Sequence, residues 1–321
     1  MTIRQEIMFS ISVAAAIVMK HLAILALIAM VGSPGAAYAA EPVELATFRA
    51  LARPAPTVVL QYGTAASQAV DLFLPTTGNG PHPVTILIHG GCWSVTTDGR
   101  QQLRHIGAEL ATQGIAVWSI GYRRANEDGG GYPGTFQDVA LAIDRLRSDA
   151  AQYHLDLMRT VLVGHSAGGH LALWVAARDR LPPASPLHRA EPFMPGAVIS
   201  LAGVGDLEAF ARFVPVLCGP GVIDRLVPAA SPAGAYAEIS PAALPPSNMR
   251  VVMISGILDR LVPPYVAHDY ARAMRRKQEP VIQLVDIPGA GHFDLVTPGT
   301  SAWDEVMFRI ADALGPAAKN R

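Results

Sequence analysis

The segment Gly164-His165-Ser166-Ala167-Gly168 carries the most specific chemistry in the chain. A serine with glycine two positions to either side can occupy a turn too sharp for larger neighbours, its hydroxyl held clear of the backbone. The Thr160–Val163 run before it reads as a strand, and His170 to about Arg178 after it as a helix. A helix beginning there adds backbone N–H groups and a positive dipole end beside a developing anion. That is equipment for nucleophilic acyl transfer. The bland alternative is a serine that merely caps a helix from a glycine-rich turn.

Acyl transfer needs further groups, and candidates for each stand at strand ends. His89-Gly90-Gly91-Cys92-Trp93 follows the Val84–Ile88 run, and its glycines let backbone N–H groups approach a substrate oxygen closely. Gly256-Ile257-Leu258-Asp259, with Val262-Pro263 after it, offers Asp259 as the acid of a triad; Asp206, after the Ala197–Leu201 run, is the runner-up. Gly291-His292-Phe293 offers a general base, and Asp294 stands too near His292 in sequence to be its usual orienter. A lone Asp or His can equally be structural. Four elements in one order, each after a strand, make coincidence improbable. His165 and His170 flank the serine, but no His-Glu-x-x-His or Cys/His cluster accompanies them, so neither a metal nor a cofactor is expected. Gly129-Gly130-Gly131 reads as a loop, without phosphate-loop spacing.

These groups require a scaffold of alternating strands and helices. Thr57–Tyr62 and Ala69–Leu74 read as an antiparallel pair. Val84–Ile88, Ile115–Ile120, Thr160–Val163, Ala197–Leu201, Val251–Ser255 and Val281–Val285 read as further strands. Helical periodicity covers Arg100–Gln113, with Leu103, Ile106 and Leu110 on one face and Gly114 closing it. It also covers Phe136–Ala150, with Val139, Ile143 and Leu146 inward, Pro264–Lys277 and Ala302–Leu314. Such alternation implies a mostly parallel sheet covered on both faces. The stretch 206–246, rich in Pro, Ala and Gly, breaks the rhythm and reads as an excursion over one edge of the sheet. Its Phe210, Phe213, Val214, Val216 and Leu217 either shape a pocket or pack onto the sheet.

On these motifs the sequence resembles the α/β-hydrolase superfamily. More closely, it is similar to the esterase/lipase-type group marked by His-Gly-Gly-x-Trp and Gly-x-Ser-Ala-Gly-Gly-His, which includes kynurenine formamidases and bacterial feruloyl-esterase-like carboxylesterases. The resemblance implies an α/β-hydrolase fold: a mostly parallel eight-stranded sheet, helices on both faces, and a small insertion over the C-terminal edge of the strands. It makes Ser166 the nucleophile, His292 the general base and acid, and Asp259 the group that orients the imidazole. The N–H of Ala167, with Gly91 and Cys92, would form the oxyanion hole. His89 and Trp93 would brace the loop. Cys92 stands where formamidases of this type often have Tyr, which weakens the formamidase assignment.

Composition bounds the remaining choices. The 321 residues carry 25 basic and 26 acidic side chains, a balance that gives no electrostatic case for nucleic acid or anionic membrane. Two cysteines make neither a disulfide scaffold nor a zinc ribbon. Mean hydropathy is high, +0.28, and the first 40 residues explain much of it. Met19-Lys20, the apolar Leu22–Val31, the break Gly32-Ser33-Pro34-Gly35 and the small residues of Ala37-Tyr38-Ala39 read as an export leader. Cleavage is expected after Ala39, with Ala40 the alternative, and Met19 makes a better start than Met1. That leaves 40–321 as a single domain with an insertion at about 206–246, secreted or periplasmic and without a stable membrane partner. An uncleaved anchor over Ile7–Met30 is the rival reading. In an exported protein Cys92 and Cys218 can bridge the oxyanion loop and the excursion; two buried free thiols are the alternative. The reading is a serine carboxylesterase acting on a small or medium soluble ester. Alternatives are an arylformamidase-like or peptidase-like C–N hydrolase, or a non-catalytic hydrolase-fold binding protein.

Overall fold

A near-continuous apolar run such as Val84–Ile88 can be buried only where a sheet is covered on both faces. In a computed structural model of the protein, describing residues 41–227, 234–277 and 282–316, that run is fully buried near the middle of an eight-stranded sheet. The strands are β1 (Val58–Gln61), β2 (Ala69–Phe73), β3 (His82–Ile88), β4 (Ala116–Ile120), β5 (Leu155–His165), β6 (Ala197–Leu201), β7 (Arg250–Gly256) and β8 (Gln283–Ile287). Their spatial order is β1-β2-β4-β3-β5-β6-β7-β8. β1 and β2 run antiparallel to their neighbours, and every pair from β4 to β8 is parallel. This is the fold class expected from the sequence.

Helices Arg104–Thr112 and Ser301–Leu314 share one face, where Leu103, Ile106, Trp303 and Ile310 meet Leu87 and Val163. Helices Gly134–Asp144 and Ala167–Ala177 share the other, their Phe136 and Trp174 rings 5.2 Å apart edge to face. Leu103, Ile106, Leu110, Val139, Ile143 and Leu146 are all buried, as their periodicity requires.

Several boundaries differ from the sequence reading, each for a local reason. The stretch expected to be one helix to Ala150 is interrupted at Arg145 and resumes as Leu146–Asp149. β5 begins at Leu155, five residues before the apolar run, because Leu155 and Asp156 pair with His82 and Pro83 across a register shift. The helix after Ser166 starts at Ala167, not at His170. The excursion holds short helices at Leu207–Phe210, Val214–Cys218 and Val222–Leu226. Residues 1–39, where the leader is expected, and Val281 lie outside the described residues. Among the described residues no helix is long and apolar enough to cross a membrane.

Candidate active site

Each of the expected catalytic residues stands just beyond the C-terminal end of a parallel strand. β5 runs into Ser166, whose backbone takes φ 55° and ψ −118°, a left-handed conformation costly for any residue but glycine. The turn is possible because its flanks lack side chains. A Cβ on Gly164 would lie 2.1 Å from the Gly168 carbonyl oxygen, and one on Gly168 would lie 2.2 Å from that of Ile88. The Ser166 N–H donates to the Leu201 carbonyl at 2.8 Å, tying the turn to β6. Ala167 then opens the helix, with no acceptor for its N–H among the described residues.

The loop after β3 lies beside this turn. Gly91, Cys92 and Trp93 have φ of 96°, 58° and 49°, and the N–H groups of Gly91 and Cys92 donate to nothing among the described residues. His89 is buried and stacks on Tyr122 at 4.3 Å, while the Tyr122 hydroxyl donates to the His89 carbonyl. Burial pushes the His89 imidazole down to about 3, so it stays neutral. The Trp93 indole N–H donates to His170 Nδ1 at 3.2 Å, and His170 Nε2 donates to the Ile239 carbonyl at 2.8 Å. That chain fixes the His170 tautomer and couples the loop, the helix and the far end of the excursion; burial lowers His170 to about 4. His89 and Trp93 therefore brace the loop through buried ring contacts and hydrogen bonds.

Asp259 and His292 meet. The His292 Nδ1–H donates to Asp259 Oδ2 at 2.6 Å, and both side chains are buried. The other carboxylate oxygen, Oδ1, accepts from the N–H groups of Leu261 and Val262 at 2.8 and 2.9 Å, fixing its orientation. The runner-up acid does something else: Asp206 Oδ1 accepts from Ala209 N–H and caps the short helix Leu207–Phe210. Asp294 Oδ2 accepts from the N–H groups of Gly291 and Val43, both at 2.9 Å. Among the described residues no three metal-ligating side chains cluster.

Ser166 and His292 line one cavity of about 250 Å³, with Gly91, Cys92, Cys218, Leu217, Leu261 and Phe293 around it. A second, smaller pocket of about 60 Å³ also reaches Ser166, on the side of Ala167 and Cys92; Trp93, Val204, Phe210 and Val262 line it. His292 borders the first and not the second. Cys92 and Cys218 are bonded, with Cα atoms 5.3 Å apart, and border both. The excursion's apolar residues divide between the two roles open to them. Phe210 and Leu217 face the smaller pocket, Val214 is buried in the core, and Val216 is 87% exposed.

Sequence reasoning missed the opposite wall. Leu45, Phe48 and Arg49, on a one-turn helix near the start of the described chain, line the large cavity. No motif marks them; the only sequence signal was a Leu-x-x-Phe spacing too short to separate from a loop.

The BD-FAE family matches residues 70–265, more than half of the chain, a span that includes Ser166 and Asp259 and ends before His292. The chain belongs to the BD-FAE family. Relatives of this member include the kynurenine formamidase of Salmo salar, 24% identical over 73% of this chain and 74% of that protein. Esterase LipC of Mycobacterium tuberculosis is 28% identical over 73% of this chain and 59% of its own length. The isoprenylcysteine alpha-carbonyl methylesterase ICME of Arabidopsis thaliana is 30% identical over 111 residues, a quarter of that protein's length. The BD-FAE fold is shared with a truncated carbohydrate esterase from gut microbiota (TM-score 0.65, 19% identity, 82% of this chain and 98% of that one). It is shared too with Thermogutta terrifontis esterase 2 phosphonylated by cyclosarin (TM-score 0.63, 20% identity, 82% and 94%). The chain thus shares the α/β-hydrolase fold of these esterases.

Proposed function

We propose that the protein is a serine hydrolase of carboxylic esters, acting through Ser166, His292 and Asp259 and an acyl-serine intermediate. The observation that carries this reading is the buried Asp259–His292 pair opening on a cavity shared with a strained Ser166. In the first step His292 Nε2 takes the Ser166 proton as the hydroxyl oxygen attacks the carbonyl carbon. Negative charge moves to the carbonyl oxygen, where the N–H groups of Gly91, Cys92 and Ala167 receive it. The alcohol leaves with the proton that His292 returns to it. Water, deprotonated by His292, then releases the acid and restores Ser166. Asp259 stays ionised throughout and stabilises the imidazolium.

The proton delivery assigns the two pockets. The leaving oxygen must lie near His292, so the alcohol portion occupies the large cavity, and the acyl chain the small apolar pocket. At about 60 Å³ against about 250 Å³ for the large cavity, that pocket is much the smaller of the two and suits the shorter acyl portion.

Export is part of the proposal. It is supported by the leader pattern over 1–39 and by the Cys92–Cys218 bond, a link favoured in oxidising compartments and rare in the cytosol. N-terminal sequencing of the mature protein from a periplasmic extract is expected to begin at Ala40. A chain retaining residues 1–39 points to the anchored alternative.

A C–N hydrolase reading draws on the likeness to the salmon formamidase and is opposed by Cys92 in place of tyrosine. Initial rates on a short-chain aryl ester and an aryl formamide, with Ser166→Ala as control, separate the two. Ester turnover lost in the variant, with negligible formamide turnover, supports the esterase. Fast formamide turnover moves the assignment to C–N bonds.

A further inference from the structure

The N-terminal wall of the large cavity is built on the loop that carries His292. One Asp294 oxygen holds the N–H of Val43 and the N–H of Gly291 together, and the Phe48 ring stacks on Phe293 at 5.1 Å. The helix Leu45–Arg49 is thereby fixed against the site, with Leu45, Phe48 and Arg49 facing the cavity.

Four ionisable side chains line that cavity: Arg49, Asp98, His165 and His292. His165 is wholly buried and held neutral, chiefly by burial. His292 is committed to the Asp259 carboxylate. Asp98 is paired with Arg53 at 2.8 Å. Arg49 has no carboxylate partner among the described residues, and its side chain is exposed. The cavity therefore offers one uncompensated cation, on the side where the alcohol portion departs.

We propose that Arg49 determines specificity, favouring esters whose alcohol portion carries a carboxylate. The proposal rests on the esterase reading above and goes beyond it by naming the substrate's charge and its place. A guanidinium at this position would receive the carboxylate as a two-pronged, charge-assisted pair, a geometry lysine cannot reproduce. In a solvent-exposed mouth, contact between unit charges is worth about a five-fold change in affinity.

The test uses two acetyl esters that share an acyl group, 4-acetoxybenzoate and its uncharged methyl ester, with wild type, Arg49→Gln and Arg49→Lys. The readout is the ratio of kcat/KM for the charged substrate to that for the neutral one, which cancels any general loss in a variant. The ratio is expected to fall about five-fold in Arg49→Gln, mainly through KM of the charged ester, and less in Arg49→Lys. The wild-type advantage should also shrink as salt approaches about 1 M, where the screening length is about 3 Å. An Arg49→Gln ratio equal to that of wild type overturns the role of Arg49 while leaving the esterase reading intact. Turnover of neither ester by wild type overturns the esterase reading, and this inference with it.

Discussion

The imidazole of His165 lies 4.6 Å from that of His292, and its Nε2–H donates to the His292 carbonyl oxygen at 3.1 Å. The residue before Ser166 thus holds the backbone of the residue proposed as its base. Burial, and secondarily His292, keep the His165 imidazole well below the ordinary histidine range, so it is neutral and one nitrogen always carries a proton. His165→Ala is expected to lower kcat about ten-fold with KM within two-fold, the effect of losing one buried hydrogen bond that sets the position of a base. Steady-state kinetics with a melting curve check this. A loss confined to stability contradicts it.

Asp259→Asn should reduce kcat by about 10⁴ while leaving the fold intact, because an amide there favours the wrong imidazole tautomer. Asp206→Asn should leave kcat within two-fold, since that carboxylate caps a helix. Circular dichroism and initial rates on a short-chain aryl ester read both.

The difference between the two aspartates shows how far the sequence reached. Ser166, Asp259 and His292 were legible because each stands just after an apolar run and catalysis demands its type. Asp206 also follows an apolar run, with the weaker local pattern, and the structure sets the two apart: Asp259 contacts His292 at 2.6 Å while Asp206 caps a helix. The strands were legible as apolar runs, except the start of β5, where Asp156 and Arg159 hide the pairing with β3, and the half-exposed edge strand β8. β8 lies two residues later than the Val281–Val285 run because Gln283 and Asp286 alternate with its apolar residues. The helix start at Ala167 was hidden by Gly168 and Gly169, which read as a turn but are glycine so that Ile88 and Gly203 can pass close by. Leu45, Phe48 and Arg49 were invisible because their place depends on Asp294, some 250 residues away in sequence (|i−j| = 251 for the Val43 contact).

Cys92 and Cys218 close a loop of sequence separation 126 across the mouth of the site. In the chain-entropy view such a link contributes about 4–5 kcal/mol. Thiol titration of the denatured, unreduced protein should find no free thiol. Cys218→Ser should lower the melting temperature and also kcat/KM, since the loop bearing the Gly91 and Cys92 N–H groups loses its tether. Two free thiols in wild type contradict the bond.

Phe210 is the bulkiest side chain of the excursion lining the small pocket, so Phe210→Ala should enlarge it and move the preferred acyl chain to a longer one. Rates across a series of aryl esters from acetate to octanoate check this. An unchanged chain-length profile contradicts the assignment of that pocket to the acyl group.

Acid should destabilise the protein in a defined window. His89 and His170 are neutral in the fold, lowered to about 3 and about 4, but protonate near 6.5 once unfolded. Between those values the unfolded chain binds more protons, so stability rises with pH. It is full above about 6.5 and is lost as pH falls towards 4, each histidine adding a slope of up to about 1.4 kcal/mol per pH unit. Urea midpoints measured from pH 7 to pH 4 should fall steadily; a flat profile contradicts the buried neutral pair.

The most direct test of the account is covalent labelling with an aryl fluorophosphonate, whose phosphorus takes the place of the ester carbonyl carbon. One phosphonyl group per chain, mapped to Ser166 by peptide mass spectrometry, should appear in step with the loss of ester turnover, and Ser166→Ala should take none. Adduct on another residue, or turnover that survives full labelling of Ser166, contradicts nucleophilic catalysis by this serine.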